Sequence, residues 1–188
     1  MNKFLFFLIS FHLTFNVFSM PSAIILIRHA EKPTNGPEGQ NLSKKGWKRA
    51  YALPKLFIDN SKLKRRGLPA FLIAVKPHSK TGSVRSIQTL QPLSEWLSKP
   101  IQADLTKDEI KELVQVIKTS PEMNGQVVLI AWQHDSLTEL ANRLGALQAP
   151  SEWPSETFDR FWLLDYENSK LVNFQNLPQQ LLEKDSKK

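Results

Sequence analysis

The stretch Ile24–Pro33, "IILIRHAEKP", sets an arginine and a histidine directly after four apolar residues, then adds Glu31 and Lys32. With the preceding Ser22 and Ala23 it forms a short run rich in β-branched residues. Such a run fits a strand buried on both faces, which would end at Arg28. The charged residues therefore belong at the C-terminal end of a strand.

Working outward, "KPTNGPEGQN" (32–41) carries two Pro, two Gly and two Asn and reads as a loop. "LSKKGWKRAYAL" then starts a helix with Ser43 as a plausible N-cap, and Pro54 should kink or end it. "PAFLIAVKP" (69–77) reads as a second buried strand, "HSKTGSV" as a loop, and "RSIQTLQPLSEWL" as a helix spaced through Ile87, Leu90, Leu93 and Leu97. In "LTKDEIKELVQVIKTS" Thr106 precedes Glu109 by three places, a capping-box signature, and Ile110, Leu113, Val114 and Ile117 make one apolar stripe. After the Asn124–Gly125 turn, "QVVLIAWQ" is a third buried strand that delivers His134 and Asp135 at its end. "SLTELANRLGAL" is amphipathic. "FDRFWLLDY" and "KLVNFQNL" flank "ENS" as a hairpin at the sheet's edge, and the polar tail 179–188 is expected to fray. No internal repeat is present.

Alternation of strand and helix predicts an α/β fold: a three-layer α/β/α sandwich around a mostly parallel central sheet with an edge hairpin. In such sheets sites gather at the carboxyl ends of the strands. Arg28 and His29 end one strand, His134 and Asp135 end another, and Arg85 begins the helix after the strand between them in sequence.

The 188 residues, 41% of them hydrophobic, suit one compact domain, read here as 20–178. There is no cysteine, which excludes a disulfide framework and a thiolate zinc site. Four histidines, His12, His29, His78 and His134, are the whole supply for imidazole chemistry. Residues 1–19, "MNKFLFFLISFHLTFNVFS", have one Lys, a mostly apolar run, then Val17 and Ser19 spaced like a small-residue cleavage signature. They read as a secretory signal peptide cleaved near Ser19, which implies a secreted or periplasmic protein with no stable membrane association afterwards. A buried helix and a retained anchor are the alternatives, and His12 and Asn16 leave the run short for a bilayer. No later stretch is long and apolar enough to span one.

The formal charge is +7, and loss of residues 1–19 removes only Lys3 from that excess. In "KKGWKRAYALPKLFIDNSKLKRR" (44–66) nine Lys and Arg face the single Asp59. This region is either a solvated face or a field that steers anionic ligands. No pattern of alternating aromatic and basic residues supports a nucleic-acid partner.

Two arginines brought together repel unless an anion sits between them, and phosphate fits best, because guanidinium forks pair with its oxygens. The same cations disfavour imidazolium at His29 and leave a neutral ring nitrogen, a nucleophile for phosphorus. On this reading arginine polarises a phosphoryl group and the adjacent histidine attacks it.

At these residues the sequence resembles the histidine phosphatase superfamily, which includes phosphoglycerate mutases and acid phosphatases. The family's Arg-His-Gly stands here as "RHA", with Ala30 for glycine. "LSKKGWKRA" is similar to its Leu-Ser-x-x-Gly-x-x-Arg-Ala helix start, "SVRSIQTLQPL" to its Ser-x-Arg-x-x-Gln-Thr segment, and "VVLIAWQHD" to the strand carrying its second histidine. Residues from about Ala23 to Leu147 are covered.

The resemblance implies a phosphatase in which His29 becomes phosphohistidine, while Arg28, Arg85 and His134 hold the phosphoryl oxygens. It implies no metal and no cofactor. "HDS" matches the acid-phosphatase branch, so Asp135 is the expected general acid, provided burial raises its pKa; capping the following helix is its other role. Glu31 is the rival acid and a candidate for substrate contact, or else a surface loop residue. Lys32 occupies the position of an extra phosphate-binding arginine. His78 and Lys80 are candidate substrate contacts or solvated loop residues. The partner would be a small phosphorylated substrate or a phosphoprotein. A mutase, or a phosphate-binding protein of the same fold with weak or lost turnover, are the competing functions. The physiological substrate and the oligomeric state are not legible in the sequence.

Overall fold

The structure, a computed structural model, describes residues 20–34, 39–79 and 82–187. The expected signal segment 1–19 lies outside the described residues, as does Lys80. Six strands form one sheet in the order β3-β2-β4-β1-β5-β6. They are β1 (Ala23–Arg28), β2 (Phe71–Ala74), β3 (Ile101–Gln102), β4 (Val127–Trp132), β5 (Arg160–Glu167) and β6 (Lys170–Pro178). The helices are α1 (Lys44–Asp59), the single turn α2 (Ser61–Lys64), α3 (Arg85–Leu97), α4 (Ile110–Thr119) and α5 (His134–Arg143).

β1 lies between β4, its parallel partner from Ala23↔Val127 to Arg28↔Trp132, and the antiparallel β5. All six of its residues are buried. Successive side chains alternate between faces. Ala23, Ile25 and Ile27 join Leu53, Leu56 and Phe57 of α1 and Leu90 and Leu93 of α3, while Ile24 and Leu26 join Ile110, Leu113 and Ile117 of α4 and Leu137 and Leu140 of α5. One strand thus nucleates two cores, and the mostly parallel sheet has helices on both faces and the expected hairpin at one edge.

Several local expectations change. α1 runs through Pro54 to Asp59, because Leu53, Leu56 and Phe57 pack on the sheet and outweigh the hydrogen bond that proline removes. α4 begins only at Ile110, with Glu109 at the N-cap: of the capping box only the glutamate half forms, the Glu109 carboxylate accepting from the Thr106 N–H and hydroxyl, both at 2.7 Å. The tail does not fray. Gln179 is buried, and Asp185 accepts from Arg49 of α1 and from the N–H groups of Leu181 and Leu182. Among the described residues no helix is long and apolar enough to cross a membrane.

Candidate active site

The parallel ladder brings the C-terminal ends of β1 and β4 side by side, with Arg28 opposite Trp132 and the His29 N–H donating to the Trp132 carbonyl at 3.3 Å. His29 and His134 therefore leave neighbouring strands at the same rim. α3 completes the wall. The Ala30 N–H donates to the Thr89 hydroxyl at 2.8 Å, and that hydroxyl donates to the Arg85 carbonyl at 2.7 Å. This pair of bonds ties the residue after His29 to the first turn of the helix that carries Arg85.

The loop after Glu31 is held as firmly. The Ser43 N–H donates to the Glu31 carbonyl at 2.9 Å, the Ser43 hydroxyl caps α1 at Gly46, and the Leu42 N–H donates to Gln88 of α3. A Cβ on Gly46 would stand 2.3 Å from the Glu31 carbonyl oxygen, so only glycine lets α1 approach the motif this closely. Ala30 is fully buried with Leu42 and Ala50, which leaves room for its one methyl group.

His29 is buried, and its Nδ1 lies 2.7 Å from the Ala30 carbonyl oxygen. A carbonyl only accepts, so Nδ1 carries the proton and Nε2 keeps its lone pair. Burial pushes the His29 pKa down to about 4; the bond to Ala30 opposes this, while the charges of Arg28, Arg85 and His134 add to it. The imidazole is neutral at physiological pH, as its cationic neighbours led us to expect.

Arg28 is buried, and its guanidinium lies 3.9 Å above the Phe158 ring and donates to the Ser155 carbonyl. Its Nε is buried with no hydrogen-bond partner among the described residues. Burial lowers its pKa to about 10, with Glu156 opposing and Arg85 reinforcing the shift. Arg85 donates through Nη1 to the Gly39 carbonyl at 2.7 Å. His134, half-buried at the first position of α5, has its pKa lowered by burial, by Arg28 and by Lys32, against the pull of Asp135. Arg28, His29, Arg85, His134 and Lys32 thus form one electrostatically coupled group.

The two carboxylates behave differently from expectation. Asp135 does not cap α5; Gln133 holds that position, and Asp135 sits in the first turn with its side chain about half exposed, 2.9 Å from the Ser136 hydroxyl and 3.5 Å from Lys107 Nζ. Burial raises its pKa, yet Ser136, Lys107 and His134 outweigh burial and leave it below the ordinary value. Glu31 does not lie at the surface. It is buried on Arg49, whose Nε and Nη2 donate to its two oxygens at 3.0 and 2.8 Å, and with Lys45 that pairing outweighs burial and lowers its pKa. Both Glu31 oxygens are thus engaged by Arg49, and the lowered pKa disfavours the proton-donor role.

Two clefts flank the start of α5. One, of about 520 Å³, is lined by His134, Asp135, Thr138, Glu152, Trp153 and Ser155. The other, of about 220 Å³, lies behind Gln133 and is lined by Lys76, His78, Ser83, Thr106 and Lys107, which places the exposed His78 beside the site. Sequence reasoning missed Ser155, Glu156 and Phe158, whose loop carried no signal beyond its Pro and Ser content, and it missed the pairing of Arg49. Among the described residues no group of three or more His, Asp or Glu is placed to hold a metal ion.

No family model matches the sequence, and no curated protein matches it. Solved structures do. Protein histidine phosphatase SixA complexed with tungstate is 15% identical, with a TM-score of 0.57 over 84% of this chain and 97% of that one. Mycobacterial glucosyl-3-phosphoglycerate phosphatase is 14% identical, with a TM-score of 0.54 over 84% and 97%. Phosphoglycerate mutase from Bacillus anthracis is 13% identical, with a TM-score of 0.51 over 86% and 94%. This chain accordingly has the phosphoglycerate mutase-like α/β fold that these histidine phosphatases and mutases share.

Proposed function

We propose that the chain belongs to the histidine phosphatase superfamily and hydrolyses phosphate monoesters through a phosphohistidine at His29. The observation that carries this reading is the state of that ring: buried, neutral, fixed by Ala30 with Nε2 bearing the lone pair, and surrounded by Arg28, Arg85 and His134. A tetrahedral dianion is the ligand that relieves the repulsion among those cations. The tungstate bound by a protein of this fold is an oxyanion of the same shape.

In the first step Nε2 of His29 attacks phosphorus, an N–P bond forms, the ester O–P bond breaks, and the leaving oxygen takes a proton. The arginines and His134 stabilise charge on the phosphoryl oxygens. Water then attacks the phosphohistidine, the N–P bond breaks, and phosphate leaves. Asp135 is the residue at the rim that can supply the first proton and later take one from water. A dianion beside it acts against Lys107 and His134 and raises its pKa. Lys32 contributes positive charge near His134. The substrate is a small phosphorylated metabolite or a phosphoprotein.

One observation favours the weaker reading, a phosphate-binding protein with little turnover: Ser136, Lys107 and His134 hold the Asp135 pKa below its ordinary value, so proton donation is poor at neutral pH. An aryl phosphate, whose leaving group needs no proton, separates the readings. The full chain should release phosphate from it and the His29→Ala variant should not; binding of inorganic phosphate without any release by the wild type would favour the binding protein.

The composition of residues 1–19 supports export to the periplasm or the exterior as part of this proposal.

A further inference from the structure

We infer that Arg49 of α1 and Asp185 of the C-terminal tail are positioning residues for His29, acting through Glu31; the inference rests on the phosphohistidine reading. The connecting element is the single peptide unit between Ala30 and Glu31. Its carbonyl, on Ala30, accepts from Nδ1 of His29 at 2.7 Å. Its nitrogen belongs to Glu31, whose own carbonyl accepts from the Ser43 N–H at 2.9 Å. The carboxylate is in turn fixed by two bonds from Arg49, at 3.0 and 2.8 Å, and the far side of Arg49 donates to both oxygens of Asp185 at 2.8 Å and to Gln179 at 3.3 Å.

The three charged side chains of this relay are buried: Arg49 exposes 3%, Glu31 8% and Asp185 4% of its side-chain surface. Asp185 is locked from behind by the N–H groups of Leu181 and Leu182. A planar guanidinium with bidentate carboxylates on two edges cannot rotate without breaking both pairs, so the tail fixes the orientation of Glu31. Glu31 is thus held at its carboxylate by Arg49 and at its carbonyl by Ser43, which fixes its Cα and with it the planar peptide unit that carries the Ala30 carbonyl. The aimed carbonyl then keeps the proton on Nδ1 and the lone pair on Nε2, the nitrogen that attacks. Outer partners of this kind set a histidine's tautomer and ring orientation elsewhere in protein chemistry. Glu31, which the motif offered as an acid, serves here as the carboxylate that holds the peptide.

The test uses Arg49→Lys, which loses the planar fork, and Asp185→Asn, which sits on the tail and keeps the side-chain shape if the first variant fails to fold. Three quantities are read: the ring tautomer of His29 by nitrogen NMR in the resting protein, kcat and KM on an aryl phosphate, and the unfolding midpoint. The expected result is a folded Asp185→Asn protein with His29 divided between tautomers, kcat down by about tenfold or more, and KM nearly unchanged. A variant with His29 wholly on the Nδ1–H tautomer would overturn the inference, whether kcat was unchanged or fell only with the folded fraction. The tautomer is read without turnover, so a wild type with the Nδ1–H ring and no activity would fault the phosphatase reading alone.

Discussion

His29 Nδ1 lies 2.7 Å from the carbonyl oxygen of Ala30, its own neighbour in the chain, and this contact fixes the tautomer of a ring whose pKa burial pushes down. The folded pKa, about 4, lies below the 6.5 of a free histidine. Between those values the unfolded chain binds a proton that the folded chain does not. Stability contributed by this ring is therefore complete above pH 6.5 and is lost as pH falls toward 4, by about 3 kcal/mol. Urea unfolding of wild type and His29→Gln across this range should show a steep slope that the variant flattens, with a residue from His134, which shifts the same way. Equal slopes would show that His29 is not buried neutral.

Proton supply should limit difficult substrates. The Asp135 pKa lies below its ordinary value, so the ratio of alkyl to aryl phosphate turnover should fall as pH rises. The ratio cancels His29 and the ionisation of the phosphate itself. Asp135→Asn should slow the alkyl ester by about a hundredfold and the aryl ester little. Equal slowing of both would remove Asp135 from the donor role.

Gly46→Ala should disturb the site from a distance. Its methyl group would meet the Glu31 carbonyl at 2.3 Å, and both atoms belong to packed backbone that has no rotamer to change. A loss of about 2–3 kcal/mol in chemical denaturation is expected. A variant as stable as wild type would mean that α1 does not pack against the motif as described.

The described fold starts at Met20, which is buried and whose carbonyl accepts from Gly125. Cleavage near Ser19 should leave this residue at or next to the new N-terminus. Sequencing the N-terminus of exported protein checks it, and recovery of residues 1–19 on that protein would argue for a retained segment.

The sheet was legible because burial writes itself into the chain: β1, β2 and β4 are runs too apolar to face water on either side. Arg28, His29, Arg85 and His134 were legible because each ends a strand or begins a helix at the rim, a placement that follows from topology alone. What escaped was set by partners far away in sequence. Glu31 looked like a free acid until Arg49 came to it across 18 positions of chain, with Asp185 reaching Arg49 across 136. Asp135 read as a general acid raised by burial or as a helix cap, yet its environment comes from Lys107 on another segment. Pro54 marked a helix end by its local chemistry, and tertiary packing carried α1 past it. Local patterns predicted elements well and misjudged polar side chains whose roles depend on tertiary contacts.

The central claim is a covalent bond between phosphorus and His29 Nε2. Rapid acid-free quenching of the full chain during aryl phosphate turnover, followed by peptide mass analysis, reads it directly. The account predicts one added phosphoryl group on the peptide containing His29, labile to acid, stable to base, and absent from His29→Ala. Turnover with no modified histidine in the wild type, or equal turnover by the variant, would contradict it.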